Sequence, residues 1–334
     1  MKFRVIMAGL FAVAVAAPMQ AQGTCAAGST QDACQKASDL LNYMTPQLST
    51  ALASGNPTLG QGGVLGGLGH FSIDIRASAV NGSLPQLNSI NLSLAGRQNS
   101  QFTTKNQFIP AASVDAGVGL WRGLSLGVTH VGGIDGIVTM TYLPTIKNDS
   151  GSSSNTGNFT VNGSNEKFGY GFRIGLLEES VVTPGVSFAW VQRDLPTVSF
   201  SGTVTSNGPL NPSGTLTLSN FSVNTTAWRV TAGKSFLIFG LSAGVGQDKY
   251  DATSTITAVV NGVGGGSSTP VAGTFSMTRT NYFVGAYVNL FIFKLEGEYG
   301  QVTGGTDNTY NTFDTAASAS RSYFTLGLRF GWGK

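Results

Sequence analysis

Charged residues are scarce in this chain of 334 residues: Asp, Glu, Lys and Arg make up 10% of it, and the formal net charge is +3. So small a net charge gives no electrostatic attraction to nucleic acid, and we expect no nucleic-acid partner. Low charge combined with 46 glycines is unusual for a soluble enzyme. The 41% of apolar residues, many in alternating order, argues against a disordered chain.

Cysteine is nearly absent, because only Cys25 and Cys34 occur. Two ligands alone make neither a zinc site nor a CxxC redox motif, so we expect no metal at this pair. In an oxidising compartment two cysteines nine positions apart form a structural disulfide. The sequence therefore predicts a Cys25–Cys34 disulfide.

Long apolar runs are also missing beyond the N-terminus. Residues 1–21 have a basic start at Lys2 and Arg4, an apolar middle and small residues for cleavage, which predicts a secretory signal segment cut there or after residue 23. The longest later candidate, 282–293, is interrupted by Asn289 and is too short for a membrane helix. Any membrane span must then consist of strands, since only helices and closed barrels satisfy their backbone in lipid.

The last stretch of the chain, 320–332, alternates with a period of two, which is typical of a strand with one apolar face. Its other face carries small residues and one charge, so the pattern favours a membrane barrel with the apolar side outward. The apolar face consists of Phe324, Leu326, Leu328, Phe330 and Trp332, and the opposite face of Tyr323, Thr325, Gly327, Arg329 and Gly331.

The same alternation recurs through the chain and predicts an all-β fold: an antiparallel transmembrane β-barrel of about ten strands (range 8–14) over residues 70–334. A soluble sandwich or solenoid is the alternative, but inward glycines such as Gly240 and Gly244 are too small to fill a soluble interior. The stretch 84–107 is a candidate for a further strand pair. The predicted strands lie near 70–80, 109–120, 124–140, 168–177, 184–200, 216–233, 237–255, 274–289, 292–303 and 318–332.

A short N-terminal helical segment precedes the barrel. Ser29 with Asp32 fits a capping box, helical spacing continues to Met44, and Thr45-Pro46 is expected to begin a second short turn. The glycine-rich run 60–69 lacks the GK[ST] ending of a phosphate loop, so a flexible linker is expected. Residues 22–69 thus form a disulfide-linked cap and linker. The cap can plug the lumen, lie at the periplasmic end or rest on the membrane.

Two short stretches resemble known families. Thr325, Gly327, Phe330 and Trp332 resemble the C-terminal assembly signal of Gram-negative outer-membrane β-barrels, which implies export through the periplasm, outer-membrane lipid and the barrel-assembly machinery as partners. The sequence 56–59, Asn-Pro-Thr-Leu, resembles the hatch region of the long-chain fatty-acid transporter (FadL-like) family, with Thr58 where that family has Ala. This second resemblance implies passage of a small hydrophobic ligand; Asn-Pro also simply ends helices.

Eight charged residues fall on the inward parity of their predicted strands and at similar depth. Charges of both signs at one level inside a narrow barrel are expected to pair, with Arg329 reaching Glu296 or Asp74, and to form a salt-bridged floor. The alternative is that strand tilt scatters these charges and water screens them. This lumen charge belt comprises Asp74, Arg76, Asp115, Arg173, Arg229, Lys294, Glu296 and Arg329.

Catalytic residues are not expected. His70 lies at the start of the first predicted strand and His130 on the lipid-facing parity of the third, so neither is placed as a general base inside a barrel. His130 with Asp135 is the nearest approach to an Asp/His protease site. We therefore predict no enzyme and no cofactor. Two classes remain open, namely passage of small hydrophobic compounds and a structural or surface-interaction barrel.

Overall fold

The structure is a computed structural model that describes residues 24–87, 90–127, 129–143, 158–205 and 212–332. The predicted signal segment 1–21, with either cleavage position, lies outside the described residues. So do Gly333 and Lys334.

Ten strands pair in a closed antiparallel ring, so the predicted fold class is confirmed. Each strand pairs with the next, and the last pairs with the first, from Phe71 opposite Trp332 to Val80 opposite Tyr323. The strands are β1 Phe71–Pro85, β2 Thr104–Trp121, β3 Gly133–Tyr142, β4 Glu166–Leu177, β5 Gly185–Asp194, β6 Ser213–Phe236, β7 Phe239–Asn261, β8 Val271–Leu290, β9 Phe293–Thr303 and β10 Arg321–Trp332.

The wall has the expected two faces. On β10 the apolar side chains point outward and are exposed, while Tyr323, Thr325 and Arg329 point inward and are buried. Several inward aromatic rings lie over glycines of the neighbouring strand, where a Cβ atom would collide with the ring. Such a Cβ atom would lie 2.1 Å from Tyr287 at Gly240, 2.3 Å from Phe283 at Gly244 and 2.2 Å from Tyr323 at Gly300.

The two ends of the barrel differ. At one end the turns are short, as between Phe236 and Phe239, and at the other the connections are long. Short additional strands lie at both ends of the barrel. They are Gln101–Phe102 paired with Thr312–Phe313, Leu124–Leu126 paired with Thr129–Val131, Asn158–Val161 paired with Val198–Thr205, and Gly266–Ser267 beside β7.

Two predicted strands are divided in the structure. The span predicted at 124–140 contains a separate hairpin, and β3 begins only at Gly133, because Gly127 and Gly132 have positive φ angles and turn the chain. The span predicted at 184–200 ends at Asp194, because Pro196 cannot donate to a ladder, and a new strand follows. In the described part of 84–107 no further strand pair joins the ring, so the number stays at ten.

The N-terminal segment forms one helix, α1, Gln31–Ala53, inside the barrel. It contacts strands on opposite sides of the ring, namely β1, β2, β5, β6, β7 and β8. The predicted break at Pro46 is wrong: the helix continues, and the Thr45 hydroxyl donates to the Leu41 carbonyl at 2.7 Å. The predicted capping box is also wrong, because the N-cap is Thr30 and it makes no side-chain cap bond.

Among the described residues, no helix combines the length and apolar character that crossing a membrane requires.

Candidate functional site: the filled lumen

The lumen is occupied by residues 31–67, which we call the plug. Helix α1 fills the half nearest the long connections, and 54–67 continue to the short-turn end, where β1 begins. Around α1 the contacts are apolar. The largest buried cluster joins side chains of the helix to β7, β8 and the loops above them, including Leu40, Leu41, Phe102, Ile256, Phe275 and Met277.

The start of α1 holds the β1–β2 loop over the long-loop end of the barrel. The buried carboxylate of Asp32 accepts bonds from the main-chain nitrogens of Ser93 at 2.8 Å and Gln98 at 2.9 Å. Lys36 Nζ lies 2.5 Å from Asp32 and also donates to the carbonyl of Asn91. Asp32 therefore binds a loop rather than the helix terminus that the sequence suggested.

Two turns after Asp32, Asp39 holds the β9–β10 loop. Its carboxylate accepts bonds from the Asn311 main-chain nitrogen at 2.8 Å and side chain at 2.6 Å, and from the Tyr310 nitrogen at 3.1 Å. Burial raises the pKa of Asp39 above its ordinary value, although these hydrogen bonds act in the opposite direction. Both loops thus close over the helix and block the long-loop end.

The disulfide lies at the same end. Cys25 and Cys34 are joined, with Cα atoms 5.8 Å apart, so the chain before α1 is tied to the first turn of the helix. Cys34 belongs to the buried apolar cluster and Cys25 packs against it. The disulfide therefore anchors the beginning of the plug within its apolar half.

The end of α1 meets three arginines from the wall. The last carbonyls of a helix lack partners within it and carry the negative end of the helix dipole. Arg229 Nη2 donates to the carbonyl of Ala53 at 2.8 Å, and Arg193 Nη1 donates to the same oxygen at 3.2 Å. Arg76 Nη1 donates to Ser54 at 2.8 Å and to Gly55 at 2.6 Å. The wall thus supplies the C-terminal cap of the plug helix.

These arginines are also paired with carboxylates of adjacent strands. Arg76 Nε lies 2.6 Å from Asp115 and Arg229 Nη2 lies 3.0 Å from Asp248. Near the short-turn end, Arg173 Nη2 lies 2.6 Å from Asp135. Each pair is buried, so removing one partner would leave an uncompensated charge.

The extended part of the plug is bound mainly through polar contacts. The main-chain nitrogen of Asn56 donates to Glu298 at 3.2 Å, and the nitrogen of Leu65 donates to Asp135 at 3.0 Å. Arg173 Nη1 donates to the hydroxyl of Thr58 at 2.5 Å. Asn56, Thr58 and the residues between and after them thus lie directly on the inner wall.

The run 60–67 is buried, so the flexible linker predicted for 60–69 is not what this part of the chain forms. Glycine is required where the plug touches the wall backbone. A Cβ atom at Gly62 would lie 2.3 Å from the nitrogen of Gly233 and 2.6 Å from the carbonyl oxygen of Gly185. Small residues on both sides let the plug pass against the strands.

All eight residues of the lumen charge belt lie on the inward face. The structure places Arg329 Nε 3.6 Å from Asp74, whereas Glu296 has no hydrogen-bond partner among the described residues. The charges contact neighbouring strands and the plug instead of meeting across an open floor. Arg329, for example, donates to the carbonyl of Leu59 at 3.3 Å and also contacts Gln61.

Several buried charges were missed by the sequence reasoning, namely Arg193, Asp248 and Glu298, and Asp135 was considered only as a partner for His130. Inward parity identifies Asp135, Asp248 and Glu298 once the strands are placed. Arg193 also lies on the inward parity of the strand predicted at 184–200. The sequence thus indicated that each of these side chains faces inward. It did not indicate their depth within the barrel, which decides which charges meet.

The predicted assembly residues lie where β10 closes the ring. The hydroxyl of Thr325 is 2.8 Å from that of Ser78, and a Cβ atom at Gly327 would collide with Leu59 of the plug. Phe330 and Trp332 point outward. Recognition of these residues during assembly stays a prediction.

The histidines lie at the short-turn end. The prediction that His130 lies on the barrel wall is wrong. His130 belongs to the small Thr129–Val131 strand, and its Nδ1 lies 2.7 Å from Glu178 Oε2. His70 directly precedes β1. In the described ranges no group of three or more His, Cys, Asp or Glu side chains is arranged to hold a metal ion.

The fold and the lumen together define a plugged ten-stranded antiparallel barrel. No family model and no curated protein sequence matches the chain. Among solved structures, it is similar to the outer membrane protease OmpT from Escherichia coli, with 13% identity over 79% of this chain and 97% of that one, at a TM-score of 0.34.

Two further similar structures are transport proteins by their titles. The toluene transporter TodX of Pseudomonas putida has 11% identity, 93% and 96% coverage of the two chains and a TM-score of 0.28. A FadL homologue of Pseudomonas aeruginosa has 7% identity, 94% and 100% coverage and a TM-score of 0.26.

Proposed function

We propose that the protein is a bacterial outer-membrane barrel, held closed by its plug, that passes small hydrophobic compounds when the plug moves. The outer surface supports the membrane location, because exposed apolar side chains alternate with buried polar ones around the ring. A barrel with no free strand edge should resist SDS until it is boiled. Equal gel mobility with and without heating would contradict the membrane barrel.

The observation that carries the transport proposal is what fills the lumen. The space is filled by a separate segment, residues 31–67, and not by the wall's own side chains alone. In its extended half this segment is held by hydrogen bonds from Arg76, Arg229 and Arg329 to main-chain carbonyls. These bonds join the plug to side chains and not to the strand ladders, and water admitted to the lumen can replace them, so the segment can leave without unfolding the barrel.

The compound class follows from the surfaces that would be uncovered. Displacement of α1 would expose the apolar side chains that now pack on it, including Phe275 and Met277. A hydrophobic compound suits that lining better than a hydrophilic solute does.

The wall also has a discontinuity that suits a sideways exit. The β4–β5 ladder ends where Tyr170 faces Gln192, and the next strand pairing begins where Val161 faces Val198. Pro196 lies in this interval and has no N–H to donate. Fewer main-chain bonds join the wall here than in the β6–β7 ladder, which extends from Ser213 to Phe236 with one irregularity between Ser219 and Ser222.

A structural or surface-interaction barrel is the second candidate. It is favoured by Arg76, Arg193 and Arg229 at the end of α1, because their hydrogen bonds to the plug carbonyls are buried and charge-assisted and cost free energy to break. A plug held permanently would leave only the closed ends and the loops as working surfaces.

A reversible tether decides between these two functions. A Cβ atom at Gly175 would lie 3.7 Å from the Cβ of Val64, which matches the separation in disulfides. We expect the Val64→Cys/Gly175→Cys variant to lock the plug to β4. Uptake of a small aromatic hydrocarbon into proteoliposomes should be lost in this variant and restored by a reductant.

The controls are the wild type with the same reductant, which also opens Cys25–Cys34, and the Val64→Cys single variant. Planar-bilayer recording should show a closed wild type and conductance in Arg329→Ala, because Arg329 binds the plug at Leu59 and Gln61. Uptake equal in locked and unlocked protein would contradict plug movement, and no uptake in any form would favour the structural barrel.

A further inference from the structure

The short-turn rim between β8, β9 and β10 contains a cavity of about 300 Å³ that joins two different surfaces. Lys294 and Arg329 line it from the inward face of the wall, and Phe71, Phe293 and Trp332 line it from the outward face. A second cavity of about 430 Å³ adjoins it and adds Arg122. The combined space is cationic inside and apolar outside.

Lys294 lines the first cavity and has no anionic partner among the described residues. Its Nζ lies 4.1 Å from the centre of the Tyr287 ring, but no described carboxylate is within ion-pair distance of it. Arg329 in contrast is bound by Asp74 and by the plug. A partly buried ammonium without an acceptor is costly, and a bound anion would relieve that cost.

The nearby carboxylates are engaged elsewhere or lie deeper. Glu179 accepts bonds from the main chain and hydroxyl of Ser235 and lies 3.6 Å from Lys234. Glu296 is buried against Gly60, one inward position further from the rim than Lys294. Neither fills the cavity, so its mouth keeps an excess of positive charge.

The apolar boundary of the cavity is unusual for a turn. Phe291 is at the tip of the β8–β9 turn with φ of 59°, in the left-handed region that favours glycine, and its side chain is fully exposed. The adjacent β6–β7 turn repeats this at Leu237, with φ of 54°. The two turns touch, since the nitrogen of Asn289 donates to the carbonyl of Ile238 at 2.7 Å. Large apolar side chains held at strained positions indicate contact with an apolar medium.

We propose that this rim cavity binds the phosphate headgroup of an anionic glycerophospholipid from the adjoining leaflet. Lys294 binds the phosphate, and the acyl chains lie along Phe71, Phe293 and Trp332, continuous with the apolar outer face. Phe291 lines the mouth of the cavity and contacts the headgroup region of the lipid. This inference rests on the proposed membrane location and does not depend on transport.

The test is lipid binding to the purified full-length mature protein in nonionic detergent, followed by native mass spectrometry. The probes are phosphatidylglycerol, phosphatidylcholine with the same acyl chains, and inorganic phosphate. One Lys near a lipid headgroup changes affinity about fivefold. We expect the protein to bind phosphatidylglycerol at least fivefold more tightly than phosphatidylcholine. We also expect Lys294→Met to lower the affinity for phosphatidylglycerol at least fivefold.

Three variants separate the lipid site from general effects. Lys294→Arg should retain binding, and Phe291→Gly should weaken binding of the lipid without straining the turn. Lys249→Met is the matched control, because Lys249 lies on β7 and pairs with Asp251 at 2.9 Å. Three results would each overturn the proposal. They are equal affinity for both lipids, unchanged lipid binding in Lys294→Met, and displacement of the lipid by inorganic phosphate at the same concentration. Loss of lipid preference with uptake retained would leave the transport proposal standing.

Discussion

The two halves of the lumen hold the same plug by different means. In the half near the long connections, α1 buries Leu40 and Leu41 in an apolar cluster. In the half near the short turns, the extended chain is held by arginines, carboxylates and close backbone contact. Apolar burial stabilises without regard to direction, whereas buried charges require defined partners. The apolar half therefore stabilises the plug in the lumen, and the polar half determines the path of its chain.

The largest expected effect comes from breaking the polar half. Arg76→Ala would leave Asp115 without its closest partner and free the carbonyls of Ser54 and Gly55. We expect a loss of about 3–5 kcal/mol in the free energy of unfolding, measured by urea titration in micelles. Arg97→Ala is the control: Arg97 lies on an exposed loop 4.1 Å from the Tyr310 ring, so its removal should cost about 1 kcal/mol or less. Equal effects of the two substitutions would contradict the polar anchor.

The apolar half should respond to a cavity. Leu41 is 1% exposed, and Leu41→Ala should cost about 2–5 kcal/mol, depending on how far the helix settles. Proteolysis should then cut within α1 more readily while β10 stays protected. Leu68→Ala, at a residue 83% exposed, should change the free energy of unfolding by less than about 0.5 kcal/mol. If Leu41→Ala changed the free energy of unfolding as little as Leu68→Ala, α1 would not be packed in the lumen.

Two neighbouring glycines in the polar half should respond differently to substitution by alanine. A Cβ atom at Gly62 meets backbone at 2.3 Å, whereas one at Gly63 has its nearest neighbour at 3.8 Å. We expect Gly62→Ala to cost about 1–3 kcal/mol through overpacking and Gly63→Ala to be tolerated. Protease protection of the plug provides the measurement. Similar sensitivity in both variants would show that 60–67 is not pressed against β6.

The smallest effect concerns pH and the loop held by Asp39. Because burial raises the pKa of Asp39 in the folded protein, folding binds that proton more tightly. The protonated Asp39 contributes fully to the free energy of unfolding below about pH 4. This contribution is lost as the pH rises through the pKa that Asp39 has in the folded protein. Wild type should therefore lose stability relative to Asp39→Asn between about pH 3 and pH 7. A constant difference across this range would contradict the burial of Asp39.

The sequence predicted the wall better than its contents. Period-two alternation identifies which residues face outward, because each strand of the barrel repeats the same two faces, as on β1 and β10. It does not identify partners in the lumen: Arg76 meets Gly55 through the path of the plug, which no local pattern encodes. The run 60–67 was interpreted as a linker because glycine serves both flexibility and close packing. Pro46 was interpreted as a break because the compensating bond of Thr45 depends on the folded helix.

The most direct test of the filled lumen is the thiol state of Val64→Cys/Gly175→Cys in the folded protein, read by alkylation and mass spectrometry. The account predicts that both new thiols are oxidised together without added catalyst, since their Cβ positions are 3.7 Å apart. Val64→Cys/Gly136→Cys is the control, because Gly136 lies on the outward face of β3 and a thiol placed there should remain reactive. Free thiols at both substituted positions of Val64→Cys/Gly175→Cys in the folded barrel would contradict a plug lying against β4.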